Sequence, residues 1–146
     1  MSFTIRALAA GDRQQWEPLW QGYLTFYKSS LPDAVSDATF QRLASPGSDP
    51  HGAAAVGDDG SFLGIVHWLF HATTWAIAPT CYLQDLFVEP QTRGQGIGAA
   101  LIGHVYTAAD EQGAAEVYWH TQEFNVTARR LYDRIGRLTP FIQYRR

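Results

Sequence analysis

Residues 3–7 alternate apolar and polar side chains, a two-residue period that predicts a short strand. Gly11-Asp12 then marks a helix start with Asp12 as N-cap. Trp16, Leu19, Trp20, Tyr23, Leu24 and Tyr27 follow at helical spacing, and such an aromatic stripe reads first as the core-facing side of a helix. After a loop over 29–35, Ser36 is placed to cap a second short helix carrying Phe40 and Leu43. Apolar runs at 53–56 and 62–70 flank Asp58-Asp59-Gly60, the pattern of a β-hairpin with glycine at its turn. Residues 72–79 have turn character. Strands are predicted at 81–88 and 117–121 and helices at 99–112 and 125–135, with Gly136 as a C-terminal stop and a closing strand at 141–144. The order β-α-α-β-β-β-α-β-α-β predicts one α/β (α+β) domain over 1–146. Its mixed central sheet is antiparallel in the first half, carries a βαβ unit in the second, and is flanked by helices.

Composition narrows the classes. The chain has 146 residues, 46% hydrophobic and 17% charged, which is a globular balance. A formal net charge of −3 gives no basic field for nucleic acid, so no nucleic-acid partner is expected. Cys81 is the single cysteine, which excludes an internal disulfide and a multi-cysteine zinc site and suits a reducing compartment. No apolar run approaches the ~20 residues needed to span a bilayer, and the first residues lack a signal-peptide pattern. The expectation is a cytoplasmic protein with no membrane partner. His67 and His71 are four apart but fall on a strand and its exit, where helical pairing does not apply, so no metal is assigned.

The candidate chemistry centres on Arg93-Gly94-Gln95-Gly96-Ile97-Gly98, between the strand at 81–88 and the helix at 99–112. Glycines allow a tight turn and leave amides uncovered; at a helix start such amides bind anions, helped by the helix dipole. A dinucleotide fingerprint is rejected on placement, because 89–93 separate strand from glycines and too little chain follows. A nucleotide-triphosphate loop is rejected because no Lys-Ser/Thr pair follows the glycines.

The stretch LQDLFVEPQTRGQGIGAAL, residues 83–101, resembles the acetyl-CoA-binding motif of the GCN5-related N-acetyltransferase (GNAT) superfamily, Arg/Gln-x-x-Gly-x-Gly/Ala, through Arg93, Gly96 and Gly98. The resemblance continues through VYWHTQEFNVTARRLYDRIG, residues 117–136, and is nearest to the branch of diamine and yeast-type histone/polyamine acetyltransferases. It covers about the last two-thirds of the chain; the first third resembles the family in element order alone.

That resemblance implies acetyl-CoA as cosubstrate and coenzyme A as product. The pyrophosphate would lie on Arg93, Gly94, Gln95, Gly96, Ile97, Gly98 and Ala99. The pantetheine arm would pair with Leu86, Phe87 and Val88 where the strand splays from its neighbour, and Asn125 would bond the arm or serve as an N-cap. Arg129 and Arg130 would contact the cofactor's phosphates or decorate the helix surface, with decoration the preferred reading. Tyr132 occupies the family's general-acid position, donating a proton to the departing thiolate. An alkylammonium with a pKa near 10.4 must lose its proton before attack. The diamine branch carries a Glu where this chain has Gln84, so the base is left among Asp85, His120, Glu123 and a water chain, with strand alternation turning Asp85 away from the Gln84 face. Gln84, Trp20, Tyr27 and Glu123 are the acceptor-site candidates. Trp16, Trp20, Tyr23, Tyr27, Trp75 and Trp119 offer aromatic walls suited to a cation.

The leading expectation is direct attack of a primary amine on acetyl-CoA through a tetrahedral intermediate. The acceptor would be a polyamine, another small amine, an amino acid or a lysine-containing protein. The alternative is an acetyl-CoA-binding sensor with weak or no chemistry, which Gln84 favours and Tyr132 opposes. A chromatin-directed acetyltransferase rests on branch similarity. A homodimer is the family-level expectation, with 141–144 supplying an edge strand.

Overall fold

Alternation of side chains across a pleat and a 3.6-residue helical period account for most of the elements. The computed structural model describes residues 2–146. Strand β1 (Phe3–Ala7) leads through a 3-10 turn at Ala10–Asp12 into α1 (Arg13–Phe26), then α2 (Asp33–Leu43). β2 (His51–Gly57), β3 (Phe62–His71) and β4 (Thr80–Val88) follow. After a 3-10 turn at Pro90–Thr92 come α3 (Ile97–Glu111), β5 (Val117–Tyr118) and α4 (Val126–Ile135). The five strands form one mixed sheet in the order β1-β2-β3-β4-β5. The first four pair antiparallel and β5 runs parallel to β4, as the sequence predicts.

The sheet buries both faces. On one lies α3, whose Ile97, Leu101, Ile102, Val105 and Ala109 recur at helical spacing and meet Ala53, Ala55, Val66, Trp68 and Leu83. On the other lie α1 and α2, where Trp16, Leu19, Trp20, Leu24, Phe40 and Leu43 pack on Ala54, Phe62 and Ile65. The aromatic stripe is therefore core for Trp16 and Trp20, while Tyr23 and Tyr27 are only partly buried.

Several expectations are corrected. Asp12 stands at the N-cap position of α1, but its carboxylate makes no cap bond; it accepts from Arg6 at 2.7 and 3.0 Å and from the Ala9 amide at 2.8 Å. The guanidinium beside it holds the Asp12 carboxyl below its ordinary value. Ser36 is not a cap: α2 starts at Asp33 after Pro32, and Ser36 is buried inside it, accepting from Trp20 Nε1 at 3.0 Å. Helix α3 begins at Ile97, two residues before the predicted 99, because Gly96 takes a left-handed φ of 80° and acts as the cap residue. Strand β5 holds only Val117 and Tyr118 instead of 117–121. Residues 141–144 form no strand; Phe141, Ile142 and Tyr144 are more than three-quarters exposed (81, 76 and 88%), since nothing within the chain pairs with them. Among the described residues no helix is long and apolar enough to cross a membrane.

Candidate active site

The βαβ half builds a cleft. β5 pairs with β4 only at Cys81 and Tyr82, so the β4 edge from Leu83 onward is left without a strand partner on that side. Past its C-terminal end, the chain turns through Gly94 and Gly96, whose φ values of 84° and 80° an L side chain rarely adopts. The first-turn amides of α3 emerge from this bend with no intrahelical acceptors. Helix α4 closes the opposite wall. It is capped by Asn125, whose Oδ1 accepts from the Ala128 amide at 3.5 Å and whose Nδ2 donates to Thr121 Oγ1 at 3.3 Å.

Between these walls runs a groove of about 540 Å³. Of the expected cofactor residues, Leu86, Phe87, Val88, Arg93, Gly94, Gly96, Gly98, Ala99 and Asn125 line it. Ile97 contributes backbone, since its side chain is 1% exposed in the core, and Gln95 is exposed and does not line the groove. Arg93 sets its guanidinium 5.6 Å from the Phe87 ring centroid and donates through Nε to the Val88 carbonyl at 3.3 Å. Arg130 and Arg134 also line the groove, as does Thr127. Arg130 thus stands where the phosphate-contact alternative requires it; positions 127, 130/131 and 134 share one face of α4, a spacing legible in the sequence. Arg129 fits the decorative reading, donating to the Glu123 carbonyl at 2.6 Å.

Tyr132 lines the groove from α4 and meets Trp119 edge-on at 5.6 Å between centroids. Burial pushes its phenol up to about 12, with Tyr27 nearby adding to the shift. Cys81 is buried, its thiol pushed up to about 11, so it is no nucleophile at neutral pH.

Tyr23 of α1 and Tyr27, the residue that follows the helix, also line the groove. Burial raises both hydroxyls, and the Asp85 carboxylate beside Tyr23 raises that one further. Asp85 reaches this face through an irregularity that alternation did not predict. β3–β4 register pairs His67 with Asp85 but Trp68 with Leu83, leaving Gln84 unopposed as a β-bulge. Leu83 therefore packs on the α3 side, and Asp85, which ordinary alternation would put beside it, turns to the α1 side. There it meets His67 Nδ1 at 2.9 Å, and His67 Nε2 accepts from Trp16 Nε1 at 3.0 Å.

The remaining candidates are not brought into the groove. Trp20 is 6% exposed, stacked between Trp16 and Tyr23, with its indole N–H spent on Ser36. Gln84 is exposed at the bulge and Glu123 is exposed in the loop before α4. His120 is exposed, with Nδ1 3.2 Å from the Tyr82 hydroxyl. Trp75 is 89% exposed in the β3–β4 connection. Among the described residues, no three His, Cys, Asp or Glu side chains gather to hold a metal ion.

The donor set suits an acyl carrier with a diphosphate: amides at a left-handed bend, three arginines along the rim, and a free strand edge leading to a phenol. Comparison with known proteins agrees. The profile of the Acetyltransferase (GNAT) family matches residues 16–136. The chain is 35% identical to the D-amino-acid N-acetyltransferase HPA3 of Saccharomyces cerevisiae over 143 residues, covering 97% of this chain and 89% of that one. It is 33% identical to the thialysine N-epsilon-acetyltransferase of Bos taurus over 94 residues, 64% of this chain and half of that one. The likeness thus reaches well into the first third, beyond element order. Among solved structures, AAC(6')-Iy in complex with a bisubstrate analogue of coenzyme A shares the fold, with a TM-score of 0.83 at 20% identity over 100% of this chain and 99% of the other. This chain belongs to the GNAT family and is an acetyltransferase acting on amines.

Proposed function

We propose that this GNAT-family chain transfers the acetyl group of acetyl-CoA to the primary amine of a small acceptor, an amino acid first among the candidates, by direct attack of the amine on the thioester. The observation that carries the reading is the convergence on one groove of the α3 bend, the β4 edge at Leu86–Phe87–Val88 and Tyr132. Amides at Gly96–Ala99 with Arg93, Arg130 and Arg134 would hold the phosphates, as helix N-termini and guanidinium groups do. The β4 edge would hold the pantetheine arm, aiming a backbone N–H at the thioester carbonyl, where such a donor lowers the barrier by a few kcal/mol.

In this reading the acceptor enters past Tyr23 and Tyr27. Asp85 takes the ammonium proton in preference to His120, because Asp85 adjoins the groove-lining Tyr23 whereas His120 lies out by Tyr82. The nitrogen lone pair then attacks the acetyl carbon to give a tetrahedral intermediate, and the C–S bond breaks as it collapses. Tyr132, whose phenol burial keeps protonated up to about 12, gives its proton to the departing thiolate, while the acylated nitrogen releases its second proton to solvent, from which the phenolate is reprotonated. The amino-acid preference is supported by the similarity to HPA3, a D-amino-acid N-acetyltransferase, along nearly the whole chain. The sensor alternative rests on Gln84, and a carboxylate one residue away weakens it.

The test is thiol release from acetyl-CoA across D- and L-amino acids, thialysine, diamines and a lysine peptide. Release with primary amines is expected; none with any amine, alongside measurable coenzyme A binding, would establish the sensor instead. The reading extends to a homodimer in which a second copy covers the exposed Phe141, Ile142 and Tyr144. Sedimentation equilibrium before and after Ile142→Asp checks that extension, with a shift to monomer expected.

A further inference from the structure

The hydrogen-bonded chain from Trp16 through His67 to Asp85 has a fixed direction. An indole N–H donates only, so His67 Nε2, 3.0 Å away, accepts. The imidazole therefore carries its proton on Nδ1, which donates to Asp85 Oδ2 at 2.9 Å. Trp16 is 0% and His67 1% exposed, so both members are sealed from solvent. Trp16 is itself immobilised, stacked on Trp20 at 5.4 Å and tilted against Phe40 at 5.2 Å. Only the last member opens outward: the Asp85 side chain is 12% exposed and sits behind the groove-lining Tyr23 without itself lining the groove. A carboxylate offers about four acceptor positions; His67 occupies one and the Tyr23 hydroxyl another.

Packing alone does not explain this arrangement. An apolar side chain at 67 would fill an aromatic core at less desolvation cost than an imidazole bonded on both nitrogens. A β-bulge at Gln84 is also needed to bring Asp85 onto this face. We propose that His67 is a positioning residue for the acceptor: held in one tautomer by Trp16, it fixes the Asp85 carboxylate in the orientation that receives the acceptor amine. This rests on the acetyl-transfer reading above.

Two substitutions separate positioning from packing. In His67→Gln the terminal amide reaches the Nε2 position, keeping an acceptor for Trp16 and losing the donor to Asp85. In His67→Asn the amide nitrogen stands where Nδ1 was, keeping the donor to Asp85 and losing the acceptor for Trp16. For His67→Gln, kcat/KM for the amine is expected to fall about 30-fold, mainly through KM, the size of a lost charge-assisted hydrogen bond. His67→Asn should stay within about threefold of the parent, and coenzyme A affinity by calorimetry should be unchanged in both. Combining His67→Gln with Asp85→Asn should cost no more than Asp85→Asn alone, because coupled residues are not additive. Full activity in His67→Gln, equal losses in the two variants, or additivity with Asp85→Asn would each overturn the proposal. If His67→Gln does not fold, Trp16→Phe takes its place: about fivefold loss in amine kcat/KM with coenzyme A affinity intact is expected, and no loss overturns the assignment. A parent protein that releases no thiol with any amine would instead remove the acetyl-transfer reading, and this inference with it.

Discussion

Against the α3 face of the sheet, Ile97, Leu101, Ile102 and Val105 pack with no polar side-chain atom among them. Against the α1 face, Trp16, Trp20, Phe40 and Phe62 pack among aliphatic side chains, and each buried indole N–H meets a side-chain acceptor, Trp16 at His67 and Trp20 at Ser36. The two faces bury comparable chains of helix but solve different problems. The α3 face, aliphatic apart from Trp68 and Cys81, needs chiefly volume and shape, and it anchors a helix whose first-turn amides open on the groove. The aromatic face is directional, because each indole N–H must find its acceptor or pay the cost of a buried unsatisfied donor. The groove walls divide in the same way: the α3 side presents main-chain amides at a glycine bend, the α1 side presents oriented side chains.

The sharpest way to break this contrast is to truncate the aliphatic face. Leu101→Ala, at a fully buried position, is expected to destabilise the protein by about 3 kcal/mol in urea unfolding, with the amine KM of the folded fraction unchanged. A shift in amine KM there would mean that the faces are not separable. Next in size, Tyr132→Phe should lower kcat about 100-fold while leaving coenzyme A affinity intact, as loss of a general acid does; steady-state kinetics with calorimetry reads both quantities. Gly96→Val puts a β-branched side chain at φ 80°, where the cost is conformational since no heavy atom lies within 4 Å of the added Cβ. Coenzyme A affinity should drop about tenfold as the bend relaxes. The smallest effect belongs to Trp20→Phe. It removes the donor to buried Ser36 and should cost about 1 kcal/mol of stability, measured by the same urea titration.

Parts of the groove are written locally in the chain. Gly94 and Gly96 before an amphipathic run specify a left-handed bend and an open helix start from a handful of neighbours. Asn125 before α4 specifies its cap, and Thr127, Arg130 and Arg134 show a shared face by spacing alone, although their line-up along the groove went unrecognised. At Ser36 the local signal fails for a physical reason: a serine near a helix start resembles a cap, but a tryptophan sixteen residues earlier claims its hydroxyl. Residues 141–144 alternate like a strand, yet a strand exists only where a neighbour pairs with it, and the tail has none within the chain.

From the sequence alone came the succession of elements from β1 to α4, the antiparallel-then-parallel sheet and the glycine bend ahead of an open helix start, because each depends on periodicity and backbone freedom over a few residues. The acceptor end depends on contacts across 51 residues from Trp16 to His67 and 18 from His67 to Asp85, and on a one-residue bulge at Gln84 that reverses which face Asp85 occupies. Side-chain order along a strand is a local property; the register that decides which side a carboxylate faces is set only when two strands pair.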